Sequence, residues 1–172
     1  IGTNNNYKRK NNKKIFNYSL TKKNLLKLEI VPDIIIHCAG SGSISESYNN
    51  KQKDIYKNVN STKQLLNYCK ITRRVKKIIF LSSAAVYGNF KSQKKLIPIS
   101  PYGRNKLRAE ELCKRFYTKK KIDMAILRLF SVYGAGLKKQ LIWDACYKLT
   151  KRKFLFLELA KKQGLGLILM TF

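Results

Sequence analysis

Acid is the scarcest commodity in this 172-residue chain: 9 Asp and Glu stand against 37 Lys and Arg, a formal net charge of +28. A balance of that sign points first to an anionic partner such as nucleic acid. The basic residues, however, are mostly Lys, run along the whole chain and often stand beside Asn, as codon usage in an AT-rich genome also produces. A basic nucleic-acid-binding protein therefore stays as the alternative of another class. Histidine occurs once, at His37. A Ser-His-Asp hydrolase would have to use it, and its place in an apolar run fits a structural role instead. Cys38, Cys69, Cys113 and Cys146 form no C-x-x-C, and with a single His this argues against a metal site. Widely spaced thiols read as reduced, which fits a cytoplasmic protein. No run of 18 apolar residues occurs, because Glu158, Lys161 and Lys162 interrupt the one that comes nearest, 154–172. The polar, basic N-terminus is no signal peptide. Its first residue is Ile, so the chain is expected to begin partway through a gene product.

What is present is enough apolar content, 44%, to build a core in one domain. "DIIIHCAG" (33–40), "VKKIIFLSS" (75–83) and "IDMAILRLF" (122–130) are continuous apolar runs, the pattern of strands buried on both faces of a parallel sheet. "IFNYSL" (15–20) reads as a further short strand. Thr21 caps a short predicted helix over 21–29. Residues 41–47 read as a small-residue loop. Residues 52–70 place Ile55, Val59, Thr62, Leu65, Leu66 and Cys69 on one helical face. Ser100-Pro101 is a helix start, with the helix running to about Lys119. A loop is predicted over 84–99 and a helix over 141–150. Alternating strands and helices give an α/β fold, a Rossmann-like doubly wound parallel sheet.

Tyr102 and Lys106 are four apart on the helix that Pro101 opens, hence on one face. A free phenol titrates near ~10, too high for a base at neutral pH. A nearby ammonium and a cationic oxidised nicotinamide both favour the phenolate. Ser83 ends the preceding strand, and open α/β sheets bind ligands beyond the carboxyl ends of their strands. A Ser/Tyr/Lys set placed there suits proton removal coupled to hydride transfer at a carbinol carbon. Y-x-x-x-K alone is common by chance; the order of strand, Ser-Ser, Gly turn, Ser-Pro and Y-x-x-x-K is what carries weight.

"PDIIIHCAG" (32–40), "NVNST" (58–62), "FLSSAAVYG" (80–88), "SPYGRNK" (100–106) and "LRLFSVYGAG" (127–136) stand in an order and spacing that resembles the NAD-dependent epimerase/dehydratase family. These are extended short-chain dehydrogenase/reductases that act on nucleotide sugars. The resemblance implies that Tyr102 is the catalytic base or acid, that Lys106 tunes it and holds the nicotinamide ribose, and that Ser83 binds the substrate hydroxyl. It places Cys38, Ala39, Gly40, Lys57 and Phe130 at the cofactor and Ala84 and Ser131 at the sugar. Leu129 would help wall the site, and Asn58 would brace it. The implied cofactor is NAD, with NADP possible, and the implied substrate a nucleotide sugar. The intact enzyme would be a homodimer through the helices at 52–70 and 101–119, with Tyr68, Leu112 and Phe116 as candidates for the shared face.

Departures from the family pattern narrow the reaction. Ala84 and Ala85 stand where dehydratases carry an acidic pair, which favours a 4-epimerase over a dehydratase, with a ketoreductase as the neighbouring alternative. Ser61 replaces a Gly and is expected to crowd its helix against the sheet. Ser131 stands where many members have Asn. Nothing in residues 1–40 matches the family's Gly-x-x-Gly-x-x-Gly turn, so the chain is expected to be a fragment without the first β-α unit, truncated and inactive by itself. Residues 1–150 then form a partial NAD(P)-binding domain. The tail 151–172 is expected to be frameshifted, replacing the start of a substrate domain. Restoring one T to an AT-leaning back-translation converts 156–172 to "FFGTGKETRTWTYIDDV", which resembles the family's next segment.

Overall fold

The structure, a computed structural model, describes residues 20–28, 31–89, 95–120, 122–132 and 140–150. The three apolar runs form parallel strands β1 (Ile34–His37), β2 (Lys77–Ser83) and β3 (Asp123–Leu129), paired in the order β1-β2-β3. Ile36 lies opposite Ile79, and Ile79 opposite Ala125. The expected strand over 15–20 and the tail lie outside the described residues, apart from Leu20.

Thr21 caps α1 (Lys22–Leu26), its hydroxyl accepting from the Asn24 amide at 3.2 Å. The predicted loop over 41–47 is a correction: Ile44–Asn49 is a helix, α2. Ser43-x-x-Glu46 is the reason, because the Ser43 hydroxyl accepts from the Glu46 amide at 3.1 Å, as in a capping box. The predicted helix over 52–70 is three pieces: α3 (Lys51–Ile55), a π-helical turn (Tyr56–Asn60) and α4 (Ser61–Thr72). Wider winding in the π turn keeps positions 54, 58 and 62, spaced by four, on one inward face, and all three are buried. The hydroxyl of Ser61, the residue expected to crowd the sheet, turns back onto the Lys57 carbonyl at 2.5 Å. A 3-10 turn (Ala84–Val86) follows β2 where a plain loop was expected. Helix α5 (Pro101–Lys120) starts as predicted, with the Ser100 hydroxyl accepting from the Gly103 amide at 3.0 Å.

Helices α4 and α5 cover one face of the sheet. Leu65, Leu66, Tyr68 and Cys69 of α4 and Ala109 and Cys113 of α5 close over Ile78 and Phe80 of β2. Tyr68, 1% exposed, is therefore core and cannot belong to a dimer face, while Leu112 and Phe116 are half-buried against the same core. The opposite sheet face is open: Ile34, Ile36, Leu127 and Leu129 are 39–57% exposed. His37 stitches β1 to α4. The Thr62 hydroxyl donates to the Asn58 carbonyl at 2.7 Å, so its lone pairs accept from His37 Nε2 at 3.0 Å, which makes the ring a neutral Nε2–H tautomer.

The chain divides into two units after Phe130. The second holds α6 (Gln140–Thr150), near the predicted bounds, on which Trp143 and Tyr147 stack with centroids 4.9 Å apart. Among the described residues no helix is long and apolar enough to cross a membrane.

Two isoleucines test which face carries the core. Ile78→Ala, emptying a site 1% exposed, is expected to cost about 2–5 kcal/mol in urea denaturation. Ile36→Ser, on a residue 53% exposed, is expected to stay within about 0.5 kcal/mol. Equal costs would contradict the one-sided core.

Candidate active site

The carboxyl ends of β1 and β2, the π turn and the first turns of α5 converge on one corner. Ser83 closes β2, its hydroxyl accepting from the Ala85 amide at 3.2 Å. Tyr102 is 7% exposed. Its backbone amide donates to the Ser47 hydroxyl at 3.1 Å, a link from α2 to α5. One turn on, the Lys106 ammonium donates to the Leu81 carbonyl at 2.9 Å and lies 5.2 Å from the centre of the Phe80 ring. The expected trio of Ser83, Tyr102 and Lys106 is thus brought together at the strand ends.

Electrostatics here follow from burial. Tyr102 titrates above its ordinary value because the phenolate would be desolvated; the facing Ser83 side chain pulls the other way, and the Asp54 charge adds to the rise. Lys106 was expected to lower the phenol and does not figure in its shift; its ammonium is turned to the Leu81 carbonyl. Burial also lowers Lys106, from 10.5 to about 8, against the opposing pull of Asp54, Cys38, Glu110 and Cys113. It is still an ammonium at neutral pH.

The residues named for a cofactor are dispersed more widely. Cys38, Ala39 and Gly40 leave the end of β1 toward this corner, with Cys38 exposed. Gly40 has φ +152°, and a Cβ there would stand 2.6 Å from Asn58 Oδ1 and 3.5 Å from Lys106 Nζ, so only Gly fits that approach. Lys57, in the π turn, points its ammonium to Glu46 at 3.6 Å. Ala84 is buried in the 3-10 turn. Phe130 is exposed and stacks on Tyr87 at 6.3 Å. Ser131 is exposed and opens the second unit.

A model of the NAD dependent epimerase/dehydratase family matches residues 2–157. The chain belongs to that family. Among curated relatives, UDP-glucose 4-epimerase 2 of Oryza sativa is 35% identical over 120 residues, which is 66% of this chain and 29% of the relative. A dTDP-D-glucose 4,6-dehydratase of Dictyostelium discoideum is 30% identical, covering 70% of this chain and 33% of the relative. The solved UDP-glucose 4-epimerase from Brucella ovis in complex with NAD superposes with a TM-score of 0.64 at 32% identity, over 71% of this chain and 39% of that one. The chain thus spans about a third of the length of the curated relatives it matches. The α/β, Rossmann-like parallel sheet read from the sequence is the fold of these epimerase/dehydratase neighbours.

Sequence reasoning overlooked a second group in this epimerase/dehydratase corner. Glu110, fully buried, accepts from Ser82 Oγ at 2.5 Å and from Arg128 Nε and Nη2 at 3.0 and 2.8 Å. Arg128 Nη1 donates to the Tyr87 hydroxyl at 3.0 Å. The pair ties the end of β2 beside Ser83, the following loop and β3 to α5. Removing one partner of such a pair strands a buried charge, which is strongly destabilising. Asp54, 3% exposed, accepts from Asn58 Nδ2 at 2.9 Å and Asn105 Nδ2 at 2.7 Å. The available signal was spacing: Asp54 precedes Asn58 by four and Glu110 follows Lys106 by four, in a chain with only 9 acids.

His37 gives the site a pH signature. Burial, and then the Lys106 charge, lower it from 6.5 to about 4. Between those values the unfolded chain binds a proton that the folded chain refuses, so stability falls as the pH drops through that window. The full contribution is about 3 kcal/mol, present near neutrality and lost by about pH 4. Urea denaturation at a series of pH values checks this: His37→Gln is expected to flatten the acid limb, and parallel limbs for the two proteins would contradict it.

Proposed function

We propose that the protein containing this chain is a nucleotide-sugar 4-epimerase, with Tyr102 moving the proton of the sugar's C4 hydroxyl. The observation that carries the reading is the corner itself: a buried phenol faced by Ser83 and followed one turn later by a buried ammonium. Support comes from the UDP-glucose 4-epimerases among its relatives. It comes also from Ala84 and Ala85, which offer no acid to protonate a leaving hydroxyl as a dehydratase requires.

The corner fits the nicotinamide-ribose half of NAD. Gly40 lets backbone approach closely where a Cβ would collide, Asn58 Oδ1 is buried and has no hydrogen-bond partner among the described residues, and Lys106 Nζ lies 3.5 Å from where that Cβ would stand. Lys106, Tyr102, Gly40, Ala39 and Cys38 would hold that half, and NAD when bound accepts hydride from the C4 carbon. The Ser83 hydroxyl orients the substrate hydroxyl toward Tyr102. The phenol starts as an acid because burial holds its proton; positive charge brought beside it favours the phenolate that removes the proton of the C4 hydroxyl. Tyr102 returns that proton after the 4-keto sugar has been reduced on its opposite face. Phe130 and Lys57 complete the reading at the outer part of the cofactor.

Tyr102→Phe removes one hydroxyl and keeps the ring's packing, so turnover of UDP- or dTDP-sugars by the complete gene product is expected to fall by about 10²–10⁴. Circular dichroism should be unchanged. Lys106→Met is expected to act alike and to weaken NAD binding as well. Turnover within tenfold of the parent in Y102F would sink the assignment, as a basic nucleic-acid binder indifferent to this residue would show. Product analysis separates the reactions: a mixture of C4 epimers supports the epimerase, while a single reduced sugar or a 4-keto-6-deoxy sugar shows a ketoreductase or a dehydratase.

A further inference from the structure

Asp54 is a buried carboxylate that the Ser/Tyr/Lys chemistry does not use. In a chain with a net charge of +28 a carboxylate would readily find a cation, yet among the described residues none contacts Asp54. Amides hold it instead. Asn58 Nδ2 directs its two protons to the Asp54 backbone carbonyl at 3.2 Å and to Oδ1 at 2.9 Å. Asn105 Nδ2 donates to Oδ2 at 2.7 Å from the turn of α5 between Tyr102 and Lys106.

This arrangement fixes the Asn58 amide. An ionised carboxylate only accepts, so the amide nitrogen must face it and the amide oxygen must face away. That oxygen is buried and has no hydrogen-bond partner among the described residues. It points to the place where Gly40 lacks a Cβ, 2.6 Å from that point, and Lys106 Nζ lies 3.5 Å from the same point. Residue 54 therefore holds the Asn58 amide by two acceptors, its backbone carbonyl and its carboxylate, and the amide oxygen is turned to the Gly40 approach. Through Asn105 it also anchors the helix turn that carries both reactive side chains.

We propose that Asp54 is the positioning carboxylate of this site, holding the Asn58 amide and pinning the first turns of α5 so that Lys106 is held as an ammonium at the strand ends. The proposal deepens the epimerase reading and rests on it only for the role given to Lys106. The groups that act on Lys106 from the packed elements are Asp54 of α3, His37 of β1 with Cys38 after it, Phe80 and Leu81 of β2, and Glu110 and Cys113 of α5. Asp54 comes first among the groups that oppose the burial of this ammonium.

Asp54→Asn tests it in the full chain. The variant removes the negative charge and replaces one of the two acceptors of the Asn58 amide, while the backbone carbonyl of residue 54 still accepts from Asn58 Nδ2. The Lys106 ammonium, followed by pH-dependent competitive acetylation and mass spectrometry, is expected to titrate about one unit lower than in the parent. That is about tenfold more free amine at a given pH below both midpoints. Glu111→Gln, which removes an exposed carboxylate from α5, is expected to leave the midpoint in place. An unshifted midpoint in folded D54N, or an equal shift in E111Q, would overturn the proposal. If D54N does not fold, the unaltered chain still decides: the Asn58 and Asn105 side-chain amide protons should be protected from solvent exchange in NMR spectra, and free exchange would overturn it. Because labelling reads Lys106 without turnover, inactivity of the complete gene product toward sugars would refute the epimerase reading and leave this test standing.

Discussion

The ammonium of Lys106 has to be solvated by protein, and much of the first unit's architecture follows from that constraint. It sits at the carboxyl end of β2, 6% exposed, against a strand carbonyl and an aromatic face. A lone charge in such a place costs several kcal/mol or loses its proton. Asp54 and Glu110, the two fully buried acids among the described residues, both oppose that loss. A chain so poor in acid thus concentrates it where one positive charge is buried.

Each of these acids is also a joint. Glu110 ties α5 to the ends of β2 and β3, and Asp54 ties α5 to the π turn. Tyr102 and Lys106, one helical turn apart, are therefore fixed from two sides. The phenol pays for its burial with a raised titration point, so the free site holds an acid that becomes a base only when positive charge arrives beside it. That is a useful condition for the proposed role, in which the same residue both takes and returns a proton.

The fold was legible in the sequence because parallel strands announce themselves as unbroken apolar runs, and Ser100-Pro101 marked α5 to the residue. The candidate trio was legible because Ser83 ends one such run and Tyr102 and Lys106 share a helical face. Helix α2 was missed because its small, polar residues mimic a loop, and only the Ser43-x-x-Glu46 pattern betrays it. The π turn was missed because a 3.6-residue period has no place for it, although the buried series Asp54, Asn58, Thr62 spaced by four records it. Tyr68 was misplaced on an outer face because an aromatic hydroxyl reads as amphipathic, whereas the structure buries it. Buried polar partners such as Asp54 with Asn105, 51 residues apart, leave no local pattern to read.

The most direct test of this account is the titration midpoint of the Lys106 side chain in the unaltered chain, followed by NMR of its Cε–Nζ group. A midpoint near 8 is expected, because burial outweighs the acids that oppose it. A midpoint at the ordinary lysine value of 10.5 would show an ammonium open to water and would contradict the site as described.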